Sequence, residues 1–187
     1  MTETNITQFS NSFRVASCVD KASKGVSLCL WVKTGACCDP ENKEGLSHLL
    51  EHTLFGLRKS ANISHIYSSI INSQLNIKAF TKAEHTAFII NSVDKSDLKK
   101  YIDILWEIYS GRWLSDEALY DAKIDISKEI DELSKDPVKI LFEVLNSVCF
   151  PSQSYGRRIT GTKETIHRIK VDDLSLIHIS EPTRPIH

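Results

Sequence analysis

His48-Leu49-Leu50-Glu51-His52 constrains this chain more than any other feature. Two imidazoles and a carboxylate fall within five residues. On a helix, positions i and i+4 sit one above the other, so His48 and His52 share a face and Glu51 lies close to it. The neighbours Leu46, Leu49, Leu50, Leu54 and Phe55 are apolar on nearly every other side. A helix apolar all round is normally buried. Ionisable groups on a buried helix need a partner, because unpaired burial costs several kcal/mol, about 2–7 for a polar group and more for a charge. A divalent metal suits two neutral imidazoles and leaves a carboxylate free. The competing reading makes His48 and His52 ordinary core or surface histidines.

The chain has 187 residues, enough for one domain with a real core. Hydrophobic residues make up 41% and charged residues 25%, an ordinary globular balance. A net charge of -1 argues against nucleic acid, since phosphate binding calls for a basic excess. No apolar run is long enough to span a bilayer, so no membrane partner is expected. The polar start, Met1 to Phe13, carries no apolar signal core and no Arg-rich amphipathic pattern. Five cysteines, Cys18, Cys29, Cys37, Cys38 and Cys149, are odd in number and irregularly spaced. Free thiols and a cytoplasmic location are therefore expected. Cys37-Cys38 lacks the second pair that a thiolate metal site needs.

Residues 13–19 and 26–34 read as strands, the second as a mostly buried one. The Asp39-Pro40 breaker precedes the motif helix, expected from Glu44 to Phe55. A further helix is expected from Ile63 to Asn72. Ile77 to Thr81 and Thr86 to Val93 read as strands. Asp94 suits the N-cap of a helix through Tyr109, with Leu98, Ile102, Leu105 and Ile108 at helical spacing. Ser115 opens a helix to about Lys135. Pro137 opens another, with Ile140, Leu141, Val144, Leu145 and Val148 as its apolar face. Gly161-Thr162 precedes a short helix from Lys163 to Ile169. This order is not the alternation of a parallel doubly wound fold. It predicts an α+β domain, a largely antiparallel or mixed sheet with helices packed on one face.

The segment from Leu174 to Arg184 matches the translation of a transposase-type sequencing adapter. Residues 174–187 are therefore expected to be a non-native tail, and residues 1–173 the truncated start of a longer protein. His178 and His187 carry no functional weight.

A catalytic zinc takes three protein ligands and keeps one position open. His48 and His52 supply two, with Glu51 held back as a base. On the Ser115–Lys135 helix, Glu129 falls at the edge of the apolar stripe Leu119, Ala122, Ile126, Ile130 and Leu133. It reads either as a third ligand or as a flanking surface residue. His65, His85 and His167 read as structural or solvated.

The chain resembles the pitrilysin or insulinase family of metallopeptidases, whose H-x-x-E-H signature marks the inverted zincins. It looks most like bacterial members with processing-peptidase-like subunits. Leu30 to Gly35 resembles the strand before the metal helix, and Glu44 to His52 with Leu54-Phe55 the helix itself. Ala79-Phe80-Thr81 with Glu84-His85-Thr86 is similar to the next strand pair. Lys128-Glu129-Ile130 with Asp136-Pro137 resembles the distal ligand segment. Tyr155-Gly156 and Gly161 to Ile166 are similar to the loop and helix that follow. Glu129 stands 77 positions after His52, at the spacing of that family's distal glutamate.

The resemblance implies Zn²⁺ held by His48, His52 and Glu129, with Glu51 as general base. It implies hydrolysis of peptide or unfolded polypeptide laid along the strand of Ile77, Lys78 and Ala79. It also implies a missing C-terminal domain and homo- or heterodimeric assembly, and hence poor turnover by these 187 residues alone. Departures are Phe55-Gly56-Leu57-Arg58 for the family's Phe-Lys-Gly-Thr, Lys78 for its asparagine, and Ala122 for a supporting glutamate. They keep open a second reading, a non-catalytic scaffold or partner subunit of the same family.

Overall fold

A computed structural model describes residues 3–56, 77–111 and 113–174. The helix expected from Ile63 to Asn72 and the tail beyond Leu174 lie outside the described residues.

Five strands are described: β1 (Glu3–Gln8), β2 (Arg14–Val19), β3 (Val26–Val32), β4 (Ile77–Thr81) and β5 (Thr86–Val93). The helices are α1 (Leu46–Gly56), α2 (Leu98–Ser110), α3 (Asp116–Leu133), α4 (Pro137–Cys149) and α5 (Lys163–Arg168). Every strand pair is antiparallel. β1 and β2 form a hairpin, and β3, β5 and β4 form a three-stranded sheet in that order. The expected α+β class holds.

β1 was not anticipated. Glu3–Gln8 is polar and shows no apolar alternation, but its Thr and Ile residues favour strands. All of its residues and all of β2's are exposed. β3 also departs from expectation. It is an edge strand with half-buried Val26, Leu28, Leu30 and Val32 alternating with exposed Ser27, Cys29 and Trp31. Apolar Cys29 and Trp31 mask a strict period of two, which is why the sequence reads as doubly buried.

The core lies between the other face of this sheet and the helices. Leu46, Leu49, Leu50 and Leu54 of α1 meet Phe88 and Ile90 of β5, Ile104 and Ile108 of α2, and Ala122 and Ile126 of α3. Burying such a side chain is worth about 1.5–3 kcal/mol, so α1 is anchored on three sides by apolar packing. On α2 the buried stripe runs through Tyr101, Ile104 and Ile108, whereas Ile102 is exposed. The expected face was one residue out of phase at Ile102. Leu174, placed at the head of the expected tail, is fully buried.

Helix α4 differs most from expectation. It starts at Pro137 as read, and the structure adds a cap, Asp136 Oδ1 accepting from the Val138 and Lys139 amides. Yet no residue of α4 is buried. Leu141, Phe142, Val144, Leu145 and Val148 are all exposed. Apolar periodicity identifies a face but not what meets it.

Candidate metal centre

The motif helix is fixed at its start by a residue that lies outside it. An α-helix leaves its first amides without intrahelical partners. Here Asp39 supplies them, accepting from the amides of Gly45 (2.9 Å) and Ser47 (3.0 Å) and from the Ser47 hydroxyl (2.6 Å). Asp39 is buried, and burial pushes its carboxyl up to about 6 while these bonds pull it back. Arg157 donates to the Asp39 carbonyl, and Thr165 Oγ1 donates to the Glu44 carbonyl. The loop before α5 and the first turn of α5 thus clamp the entry to α1. Gly161 takes a positive φ of 68° there, and a Cβ at that point would strike the Glu44 backbone.

From this anchored helix His48 and His52 project together. Their ring centroids are 4.6 Å apart. Glu129 reaches across from α3, with Oε2 3.2 Å from His52 Nε2 and 3.7 Å from His48 Nε2. The three donor atoms lie within 4.8 Å of one another, the one such grouping of His, Cys, Asp or Glu among the described residues. The sequence's ambiguous Glu129 therefore faces the histidines while staying partly exposed. Ser115 starts α3, its side chain accepting from the Ala118 amide, and buried Leu119, Ala122 and Ile126 set the helix phase. Ala122 itself is fully buried.

Electrostatics support a cation at this point. Burial, reinforced by His52, pulls His48 down to about 4, so its ring is neutral and able to donate a lone pair. The hydrogen bond from His52, with both imidazoles nearby, holds Glu129 below its ordinary value and therefore ionised. Two nitrogens and one oxygen are the donor set of a catalytic zinc. Bonds of about 2.0–2.2 Å in a tetrahedron put ligand atoms roughly 3.3–3.5 Å apart. The two distances to Glu129, 3.2 and 3.7 Å, bracket that span, and all three donors lie within 4.8 Å, so the residues fit the ion.

Glu51 lies beside the cluster, 8% exposed. Burial raises its carboxyl, and the Thr81 hydroxyl, donating to Oε2 at 2.6 Å, draws it back. A raised carboxyl beside such a cluster suits a proton-transfer role. Thr81 ends β4, whose outer edge has no strand partner among the described residues. Ile77 and Ala79 are half-buried on that edge strand and Lys78 is exposed.

Sequence reasoning missed Asp39 and Thr81. Thr81 shares the helix-facing side of β4 with Ile77 and Ala79, a period-two signal that was available. Nothing local marks Asp39, because its partners lie six and eight residues on. His85 stacks on Trp31 at 4.0 Å and is no ligand, while His65 lies outside the described residues. All five cysteines are free.

Residues 14–163 match the family model described as insulinase (peptidase family M16). The beta subunit of the mitochondrial-processing peptidase of Rattus norvegicus is 28% identical over 175 residues, covering 92% of this chain and 35% of its own length. The chain thus spans about a third of the curated relatives it matches. Among solved structures, a protease from Helicobacter pylori aligns with a TM-score of 0.80 at 16% identity, over 95% of this chain and 43% of its own. The ferredoxin protease FusC, solved in complex with Arabidopsis ferredoxin, aligns with a TM-score of 0.81 at 18% identity, over 95% and 20%. These likenesses show the fold. With 150 residues matched by one family model, the chain belongs to the insulinase family of peptidases, peptidase family M16.

Proposed function

We propose that this chain is the zinc-holding part of a metalloendopeptidase. The observation that carries the reading is the convergence of His48, His52 and Glu129 beside a buried Glu51. His48 Nε2, His52 Nε2 and a Glu129 carboxylate oxygen would hold the ion. Zinc, when bound, supplies a Lewis acid that polarises a carbonyl and makes water more acidic. Glu51 accepts a proton from the attacking water and returns it to the leaving amine. Burial of Glu51 raises its carboxyl, which makes it a stronger base than an exposed glutamate for taking up the proton.

The edge of β4, unpaired among the described residues, gives an extended peptide a place to pair, with Ile77, Lys78 and Ala79 offering backbone amides and carbonyls. Such pairing tolerates many sequences, which suits a peptide or unfolded polypeptide substrate. Residues 1–173 act in this reading as the N-terminal domain of a longer protein, paired with a second domain or with another subunit in a homo- or heterodimer. That division fits a chain spanning 35% of the rat beta subunit. The retained histidines and Glu51 favour a peptidase over a scaffold.

Zinc content tests the reading. The purified chain is expected to retain about one zinc per chain through dialysis, and His48→Ala, His52→Ala and Glu129→Ala to lose it. Full retention in all three variants would contradict it.

A further inference from the structure

Glu51 is held by a hydroxyl that no part of the mechanism above requires. Three rotatable bonds carry its carboxylate, and a base that wanders loses alignment with the proton it must take. Thr81 Oγ1 donates to Glu51 Oε2 at 2.6 Å, the length of a charge-assisted O–H···O⁻ bond. The Thr81 hydroxyl is the donor because an ionised carboxylate can only accept. Thr86 stands opposite Thr81 across the strand pair, its Oγ1 3.5 Å from that of Thr81. Thr86 has one hydroxyl hydrogen, and it goes to the Thr34 carbonyl at 2.9 Å. It is therefore not available to Thr81, whose own hydrogen is committed to the far shorter contact with Glu51. Thr34, Thr81 and Thr86 are all buried, so water does not compete. The β-branched side chain restricts the Thr81 rotamer, and strand β4 holds its backbone.

We infer that Thr81 is a positioning residue: its hydroxyl, for which Thr86 competes only as a more distant acceptor, pins Oε2 of Glu51 and holds the carboxylate in place for proton transfer. The inference rests on Glu51 serving as the base. It makes the edge strand β4, unpaired on its outer side among the described residues, also the strand that aligns the base.

The test uses the full-length protein carrying Thr81→Val, which keeps the shape and deletes the hydroxyl, Thr81→Ser, which keeps the hydroxyl, and Glu51→Gln. Thr81→Val is expected to lower kcat by about tenfold to a hundredfold, within the range of a lost acid–base contribution, with KM and zinc content little changed. Thr81→Ser is expected to recover most of the loss, and Glu51→Gln to be inactive with zinc retained. A readout without turnover accompanies it: in the unfolding of the metal-free 187-residue chain, Thr81→Val and Glu51→Ala are expected to couple by about tenfold in equilibrium constant. Unchanged kcat in Thr81→Val beside an inactive Glu51→Gln overturns the positioning role alone. A serine variant as impaired as valine, or strictly additive unfolding effects, also overturns it. A fully active Glu51→Gln overturns the base assignment, and the positioning role with it.

Discussion

Glu129 Oε2 lies 3.2 Å from His52 Nε2, although one belongs to the eighteen-residue helix α3 and the other to α1. The packing of Ala122 and Ile126 against the leucines of α1 brings the two helices this close. A carboxylate carried there by core packing, and not by a local turn, depends on the helix phase. Glu129→Gln keeps size and phase but removes the charge. Its zinc affinity is expected to fall by more than the 10–100-fold that loss of an outer-shell partner costs. Chelator competition measures this; a loss below about threefold would remove Glu129 from the ligand set.

Asp39 should matter to stability more than its position in a turn implies. Asp39→Ala strands the Gly45 and Ser47 donors, and a buried unsatisfied group costs about 1–3 kcal/mol. Denaturant unfolding of the variant is expected to show a loss in that range. A change under about 0.3 kcal/mol would mean that water replaces the carboxylate.

The metal-free chain carries two opposed pH dependences. His48 is drawn from 6.5 to about 4, so between these values the unfolded chain binds more protons. Its contribution is complete above pH 6.5 and falls as pH drops towards 4. Asp39 is raised from 3.8 to about 6, so there the folded chain binds more protons. Its contribution is complete below 3.8 and is lost as pH rises through 6. The two offset one another. Asp39→Asn removes the second, so this variant is expected to lose stability more steeply than the parent from pH 6.5 to 4. Denaturation midpoints across that window give the comparison, and equal slopes would contradict it.

Exposure on α4 sets a contrast with the buried stripe of α3. Phe142→Ala is expected to change stability by less than about 0.5 kcal/mol, as at other surface sites. Ile126→Ala on α3, fully buried, is expected to cost about 2–5 kcal/mol. Equal losses in chemical denaturation would show that α4 is covered in solution.

Much of the fold could be read directly from the chain. The His48–His52 pair is local, because one helical turn brings i and i+4 together. The helix openings at Ser115, Pro137 and Gly161-Thr162 are equally local, and each forms within one residue of where it was read, capped by Ser115, Asp136 and Thr162. Glu129 was legible only as a choice, since one helix reports its own phase and not what packs against it. Leu141 and Val148 fail for the same reason, because an apolar stripe looks identical whether covered or bare. Asp39 and Thr81 were hidden because their partners are set by the approach of separate elements.

X-ray absorption at the zinc edge of the metal-loaded chain tests the central claim most directly. Two imidazole nitrogens and one carboxylate oxygen at about 2.0–2.2 Å are predicted, with no sulfur. A zinc–sulfur shell near 2.3 Å would instead assign the metal to Cys37 and Cys38 and contradict the account.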